Sequence, residues 1–293
     1  MTSPAHILTG QQKDLGGGFM VRRLLPAAAR RSVGPFVFFD HFGPALETPG
    51  AEHDVRAHPH IGLATVTYLF EGAMMHRDSV GSSQLIEPGA INWMTAGRGI
   101  VHSERRPESL LSSTYTLHGL QLWVALPREH EEAEPSFAHT PADEIPEGRV
   151  DDATVRVLVG EAWGLRSSVR TLSPTLYLDL QLAAKGRLAL PPLAPELAVY
   201  VVQGALTLDG QVLAAQQMAV LSPAGAELIG VEDTRLMVIG GAPLDAPRHM
   251  WWNFVSARRE RIAQAAEDWQ AQRLGQVPGE TEFMPLPERR FLA

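Results

Sequence analysis

Between Phe36 and Leu126 the chain is written in short apolar runs, each stopped after a few residues by glycine or a charged pair. That punctuation confines it to short β-strands. Thr65-Val66-Thr67-Tyr68-Leu69-Phe70 is rich in β-branched and aromatic residues and stops at Glu71-Gly72. Ala90-Ile91-Asn92-Trp93-Met94 and Leu120-Gln121-Leu122-Trp123-Val124 follow the same plan, with Gly97 and Gly99 marking a turn between them. Strand-like segments resume at Val155–Leu158, Leu176–Leu182, Leu197–Val202, Ala205–Leu208, Met218–Leu221 and Arg235–Ile239, so both halves read as all-β.

A chain of 293 residues accommodates two moderate domains. We place an N-terminal domain at 1–130, an acidic connector at 131–150, a C-terminal domain at 151–250, and a helix with an extended tail at 251–293. The connector holds Glu131, Glu132, Glu134, Asp143, Glu144 and Glu147. Ile262, Ala266 and Trp269 recur at helical spacing within 256–273, and Trp251, Trp252 and Phe254 beside them suit a buried interface. The halves also resemble each other. Ala57-His58-Pro59-His60 laid over Ala189-Leu190-Pro191-Pro192 carries Tyr68 onto Tyr200 and Glu71-Gly72 onto Gln203-Gly204 without a gap. With a shorter hairpin in the second copy, Trp93 falls on Leu221, His102 on Gly230 and Glu104 on Glu232, so only the first copy can offer three histidines.

Seven of the eleven histidines lie between His41 and His118. Cysteine is absent, so a metal must be held by nitrogen and oxygen. The net charge of -8 argues against wrapping a nucleic acid. No apolar run is long enough to span a bilayer, and Met1 to Gln12 lack the pattern of a secretory signal, which makes a cytoplasmic address the expectation.

In His58-Pro59-His60 the two imidazoles are two residues apart and leave the same face of a strand; His102-Ser103-Glu104 does the same with an imidazole and a carboxylate. Closing the sheet into a barrel brings the pairs together. Three neutral imidazoles and a carboxylate suit a divalent first-row metal with positions left for water, dioxygen or substrate. Iron(II) is the first choice, and manganese, nickel, copper, cobalt and zinc fit the same ligands. Asp40, His41 and His76 are candidates to orient a ligand from behind or to brace the barrel wall.

Phe39-Asp40-His41-Phe42-Gly43-Pro44, His58-Pro59-His60, Thr65 to Gly72, and Gly97-Arg98-Gly99-Ile100-Val101-His102-Ser103-Glu104 strongly resemble the pirin family of the cupin superfamily in order and spacing. The resemblance implies a bicupin, two antiparallel β-barrels or jelly rolls in tandem, with one iron site in the N-terminal cupin on His58, His60, His102 and Glu104. Some pirins cleave the flavonol quercetin with dioxygen and release carbon monoxide; others are iron-dependent partners of transcription factors or metabolic enzymes. The expected activity is of the quercetin 2,3-dioxygenase type, with an iron-dependent regulatory protein as the alternative. One departure stands out: pirins carry a glutamate four residues after the second histidine, and this chain has Ala64. Glu104 is then the only obvious base.

Overall fold

Alternation of side chains decides the strands, and it recurs along the whole chain. The computed structural model describes residues 6–16, 18–51 and 53–288; what the sequence suggested for 1–5 and 289–293 lies outside them. The predicted segments fold as Leu63–Glu71, Ile91–Thr95 and Tyr115–Ala125, and in the second half as Ala153–Val159, Thr175–Leu182, Glu196–Gln203, Ala205–Leu208, Gln217–Val220 and Thr234–Gly241. The fold is all-β, with tandem cupin domains and one C-terminal helix, Arg259–Gln270. That helix is too short to cross a membrane, and no described helix is long and apolar enough to do so.

Contacts gather the chain into two compact units whose boundaries are not linear. One takes 13–21, 41–142 and 244–293, and the other takes 1–12, 22–40 and 143–243. The segment after residue 250, set apart in the sequence reading, thus belongs with the histidine-bearing unit, while 22–40 belong with the second.

In the histidine-bearing unit a four-stranded sheet runs Val55–His60, Ile100–Arg105, Met74–Asp78, Ser83–Ile86. A second sheet runs Ser136–Thr140, Ile91–Thr95, Leu63–Glu71, Tyr115–Ala125 and on to the strand Phe36–Glu47. The pairs whose registers are resolved within these sheets are antiparallel. Behind the first sheet, Ala57, Ile61 and Val101 pack with Phe254, Ile262, Ala265, Trp269 and Val277. The helix therefore buries the predicted stripe, shifted from Ala266 to Ala265, and Phe254 closes the interface as expected.

The other unit pairs Arg187–Leu190, Ala226–Gly230, Ala205–Leu208 and Gln211–Ala214 in one sheet, beneath a larger sheet centred on Glu196–Gln203 and Thr234–Gly241. Leu188, Leu190, Leu206, Leu208, Leu228, Val199, Val201, Leu236 and Val238 fill its interior. Strand register corrects the proposed overlay of halves. His102 pairs with His58, and the counterpart Leu190 pairs with Ala226; Glu104 pairs with His76, and the counterpart Leu208 pairs with Leu228. The true equivalents of His102 and Glu104 are thus Ala226 and Leu228, because the turn before this strand is also shortened in the second copy. Where the first barrel carries His58, His76 and Glu104, the second carries Leu190, Leu208 and Leu228.

The acidic connector is corrected as well. Ser136–Thr140 pairs with Ile91–Thr95, and Glu147–Val150 pairs with Ala153–Val159, so the stretch supplies an edge strand to each unit. Of the six acidic residues only Glu147 lies on one of these strands; the others occupy the turns around them, and this is why the segment read as a linker. Glu131 is buried: its carboxylate accepts from Ser256 Oγ and the Ala257 amide, both at 2.7 Å, and pairs with Arg248 at 3.0 Å. Glu131→Ala leaves the buried Arg248 guanidinium short of its counter-charge, and we expect a loss of about 3 kcal/mol in a denaturant titration; an unchanged midpoint would show the pair to be dispensable.

Candidate metal centre

Pairing of Val55–His60 with Ile100–Arg105 builds the centre. His102 lies directly opposite His58, and Ile100 opposite His60. Parity then turns all three imidazoles to one side, with ring centroids 4.4 Å apart for His58 and His102, 4.9 Å for His58 and His60, and 5.0 Å for His60 and His102. One ring nitrogen from each lies within 4.8 Å of the others, and all three residues are buried.

Hydrogen bonds fix which nitrogen faces the centre. His58 donates Nδ1–H to the Arg56 carbonyl at 2.8 Å, and His60 donates Nδ1–H to the Asn253 carbonyl at 3.1 Å. His102 is set by a chain of acceptors. The Asp78 carboxylate is fully buried and takes the Val80 and Ser82 amides at 3.0 and 2.9 Å, so it accepts Nε2–H from His76 at 2.9 Å. His76 Nδ1 is then the lone pair that accepts Nδ1–H from His102 at 3.4 Å. Each Nε2 is left as a lone pair, and a carbonyl or outer histidine behind a ligating imidazole is the usual support of a metal site.

Electrostatics agree. Burial lowers His58 to a pKa of about 4 against the pull of the Arg56 carbonyl, and burial together with the neighbouring imidazoles holds His60 and His102 well below the ordinary histidine value. All three are neutral near pH 7. Most telling, His102 Nε2 is buried and has no hydrogen-bond partner among the described residues. An orphaned buried polar atom costs roughly 1–3 kcal/mol, and a cation at the focus of the three lone pairs removes that cost. The donor set therefore fits a divalent first-row metal.

Glu104 stands beside this cluster. The group of mutually close donors comprises the three histidines, while the Glu104 carboxylate accepts from Thr67 Oγ1 at 3.4 Å and interacts with Gln121. Burial pushes its pKa up, opposed by nearby His76 and by those hydrogen bonds. Trp123 meets the His60 ring edge to face at 5.2 Å, and His76 stacks on Phe137 at 4.3 Å, giving apolar walls.

Of the three candidates for orienting ligands, the structure brings only His76 to the cluster. Asp40 is held by Arg23 through two bonds of 2.8 Å, and His41 shares a 2.7 Å nitrogen-to-nitrogen bond with His118. Sequence reasoning missed Thr67, Gln121 and Asn253. Parity along 65–67 could have found Thr67; nothing local announces the Asn253 carbonyl.

Ala64 is also reinterpreted. On Leu63–Glu71, Thr67 pairs with Gln121 and bonds to Glu104, and Thr65 pairs with Trp123, so Thr65 and Thr67 face the centre. Ala64, Val66 and Tyr68 share the opposite face and are fully buried. The Gly62 turn, with φ of 69°, reverses the parity counted from His60. A glutamate at 64 would not reach the metal, so its absence removes no base from the site.

Comparison with known proteins agrees with this architecture. Residues 18–124 match the family described as Pirin, and residues 177–275 match the Pirin C-terminal cupin domain. A pirin-like protein of Caulobacter vibrioides is 47% identical over 289 residues, covering 96% of this chain and 99% of its own. Human pirin is 35% identical over 272 residues, 90% of each chain. The crystal structure of quercetin 2,3-dioxygenase from Acinetobacter baumannii matches with a TM-score of 0.90 at 33% identity, over 99% of this chain and 97% of that one. Matched in both halves and nearly end to end, the chain belongs to the pirin family and has a pirin-type, metal-dependent function.

Proposed function

We propose that the protein is an iron(II)-dependent dioxygenase that opens the heterocycle of flavonols such as quercetin, with the metal held by His58, His60, His102 and Glu104. The observation that carries this reading is the convergence of three neutral imidazole lone pairs, one without a partner, beside a buried carboxylate. The likeness to quercetin 2,3-dioxygenase from Acinetobacter baumannii supports the substrate class. When bound, the metal supplies Lewis acidity toward the enolic oxygens of a flavonol and a meeting point for dioxygen.

The chain's own residues do the rest. Glu104 takes the proton of the flavonol hydroxyl, and burial, by raising its pKa, suits its carboxylate oxygen to hold that proton. Thr67 and Gln121 keep the carboxylate aimed at the substrate position. The Trp123 indole against His60 excludes water and offers an aromatic face to a planar substrate.

Iron-loaded protein is mixed with quercetin without oxygen, and oxygen is then admitted. Loss of the flavonol absorbance with release of carbon monoxide is expected; a fully loaded protein that leaves quercetin intact contradicts the reading. In the same assay Glu104→Gln should lower turnover per bound metal by about a hundredfold or more.

Ala64→Glu discriminates between the two faces of the strand. A carboxyl buried without a partner should cost at least about 2 kcal/mol of stability. A variant of parental stability with altered metal binding would instead put position 64 at the site.

A further inference from the structure

We propose that Glu280, in the C-terminal tail, is a positioning residue of the metal centre: it grips the strand Ile100–Arg105 from behind and sets the spacing between His102 and Glu104. The inference rests on the reading of these two residues as metal ligands.

His102 and Glu104 point inward, so alternation sends Ser103 and Arg105 to the back of the sheet. The ladder with Val55–His60 is regular as far as His102 against His58, then slips, so that Glu104 lies opposite Val55. Ser103 sits at that slip. A slipped ladder leaves its residue less constrained by the neighbouring strand, and here it separates two side chains meant for one ion.

Glu280 bridges this point. Its Oε1 accepts from Ser103 Oγ at 2.6 Å and from Arg105 Nε at 3.0 Å, and its Oε2 accepts from Arg105 Nη2 at 2.7 Å. One carboxylate therefore ties the residue after His102 to the residue after Glu104. Ser103 is fully buried and the Glu280 side chain is only 10% exposed, a setting in which charge-assisted bonds are strong. Despite burial, the bonds from Arg105 and Ser103 hold the Glu280 pKa below the ordinary value, so it is a carboxylate near neutrality.

The tail that carries Glu280 is itself anchored. Val277 packs with Ala57 and Val101 on the back of the same sheet, and Trp269 donates Nε1–H to the Met284 carbonyl at 2.8 Å. The Asn253 carbonyl, earlier in the C-terminal segment, already orients His60. This segment thus reaches the centre twice, once through a ligand's ring and once through the side chains that follow two ligands on their strand. Glu282 also pairs with Arg105, but the structure gives it no bond to Ser103.

The test titrates the purified full chain, stripped of metal, with cobalt(II) alone, reading affinity and the visible ligand-field spectrum beside thermal unfolding of the apo form. Glu280→Ala should weaken cobalt binding about tenfold or more and alter the spectrum, while the apo form still unfolds cooperatively. Glu280→Gln keeps an acceptor for Ser103 and should recover most of the affinity, and Glu282→Gln should bind as the parent does. Unaltered affinity and spectrum in Glu280→Ala would mean that Glu280 only pins the tail, overturning the inference while the metal reading stands. If that variant fails to fold, Ser103→Ala decides: several-fold weaker binding supports the grip, and parental binding overturns it. A parent that binds no cobalt overturns the metal reading and this inference with it.

Discussion

The antiparallel pairing of Val55–His60 with Ile100–Arg105 is the constraint on which the site depends. It sets His102 against His58 and leaves three imidazole rings packed at about van der Waals distance inside a barrel, 4.4 to 5.0 Å between centroids. Each is neutral because burial disfavours its cation, and each is aimed because its Nδ1–H has an acceptor behind it. Sequence parity makes the faces, and the acceptors behind the rings, one local at Arg56 and one distant at Asn253, make the tautomers. A small shift of either strand would separate the lone pairs.

The second barrel shows what the first gives up. There the equivalents of His58, His76 and Glu104 are Leu190, Leu208 and Leu228, all buried in a continuous apolar core. Burying each leucine contributes roughly 1.5–3 kcal/mol, whereas a buried imidazole or carboxylate without a partner opposes folding. The same architecture thus serves in one copy as a filled core and in the other as a polar cluster held by Asp78, Thr67, Gln121 and Asn253, with a donor set that suits a metal.

Much of this was legible in the sequence because strands write their faces at every second residue. His58 and His60, and His102 and Glu104, announce a shared face whatever the rest of the chain does. Counting failed where a turn intervenes: from His60 to Ala64 the path crosses Gly62, and the face changes. Charge misled at 131–150, where the acidic residues crowd the turns around two short edge strands and only Glu147 lies on one. The overlay of halves slipped at His102 because few identities survive in the turn before it, and only hydrogen-bond register restores the match with Ala226. Asn253 and Glu280 were beyond reach of local pattern, since each meets its partner across more than half the chain.

If His58, His60 and His102 form one metal site, losing any one of them empties it. Elemental analysis of the purified protein beside His102→Ala tests it most directly, with circular dichroism to show that both are folded. Close to one divalent metal per chain is expected in the parent and almost none in the variant. Equal metal content in the two folded proteins would contradict it.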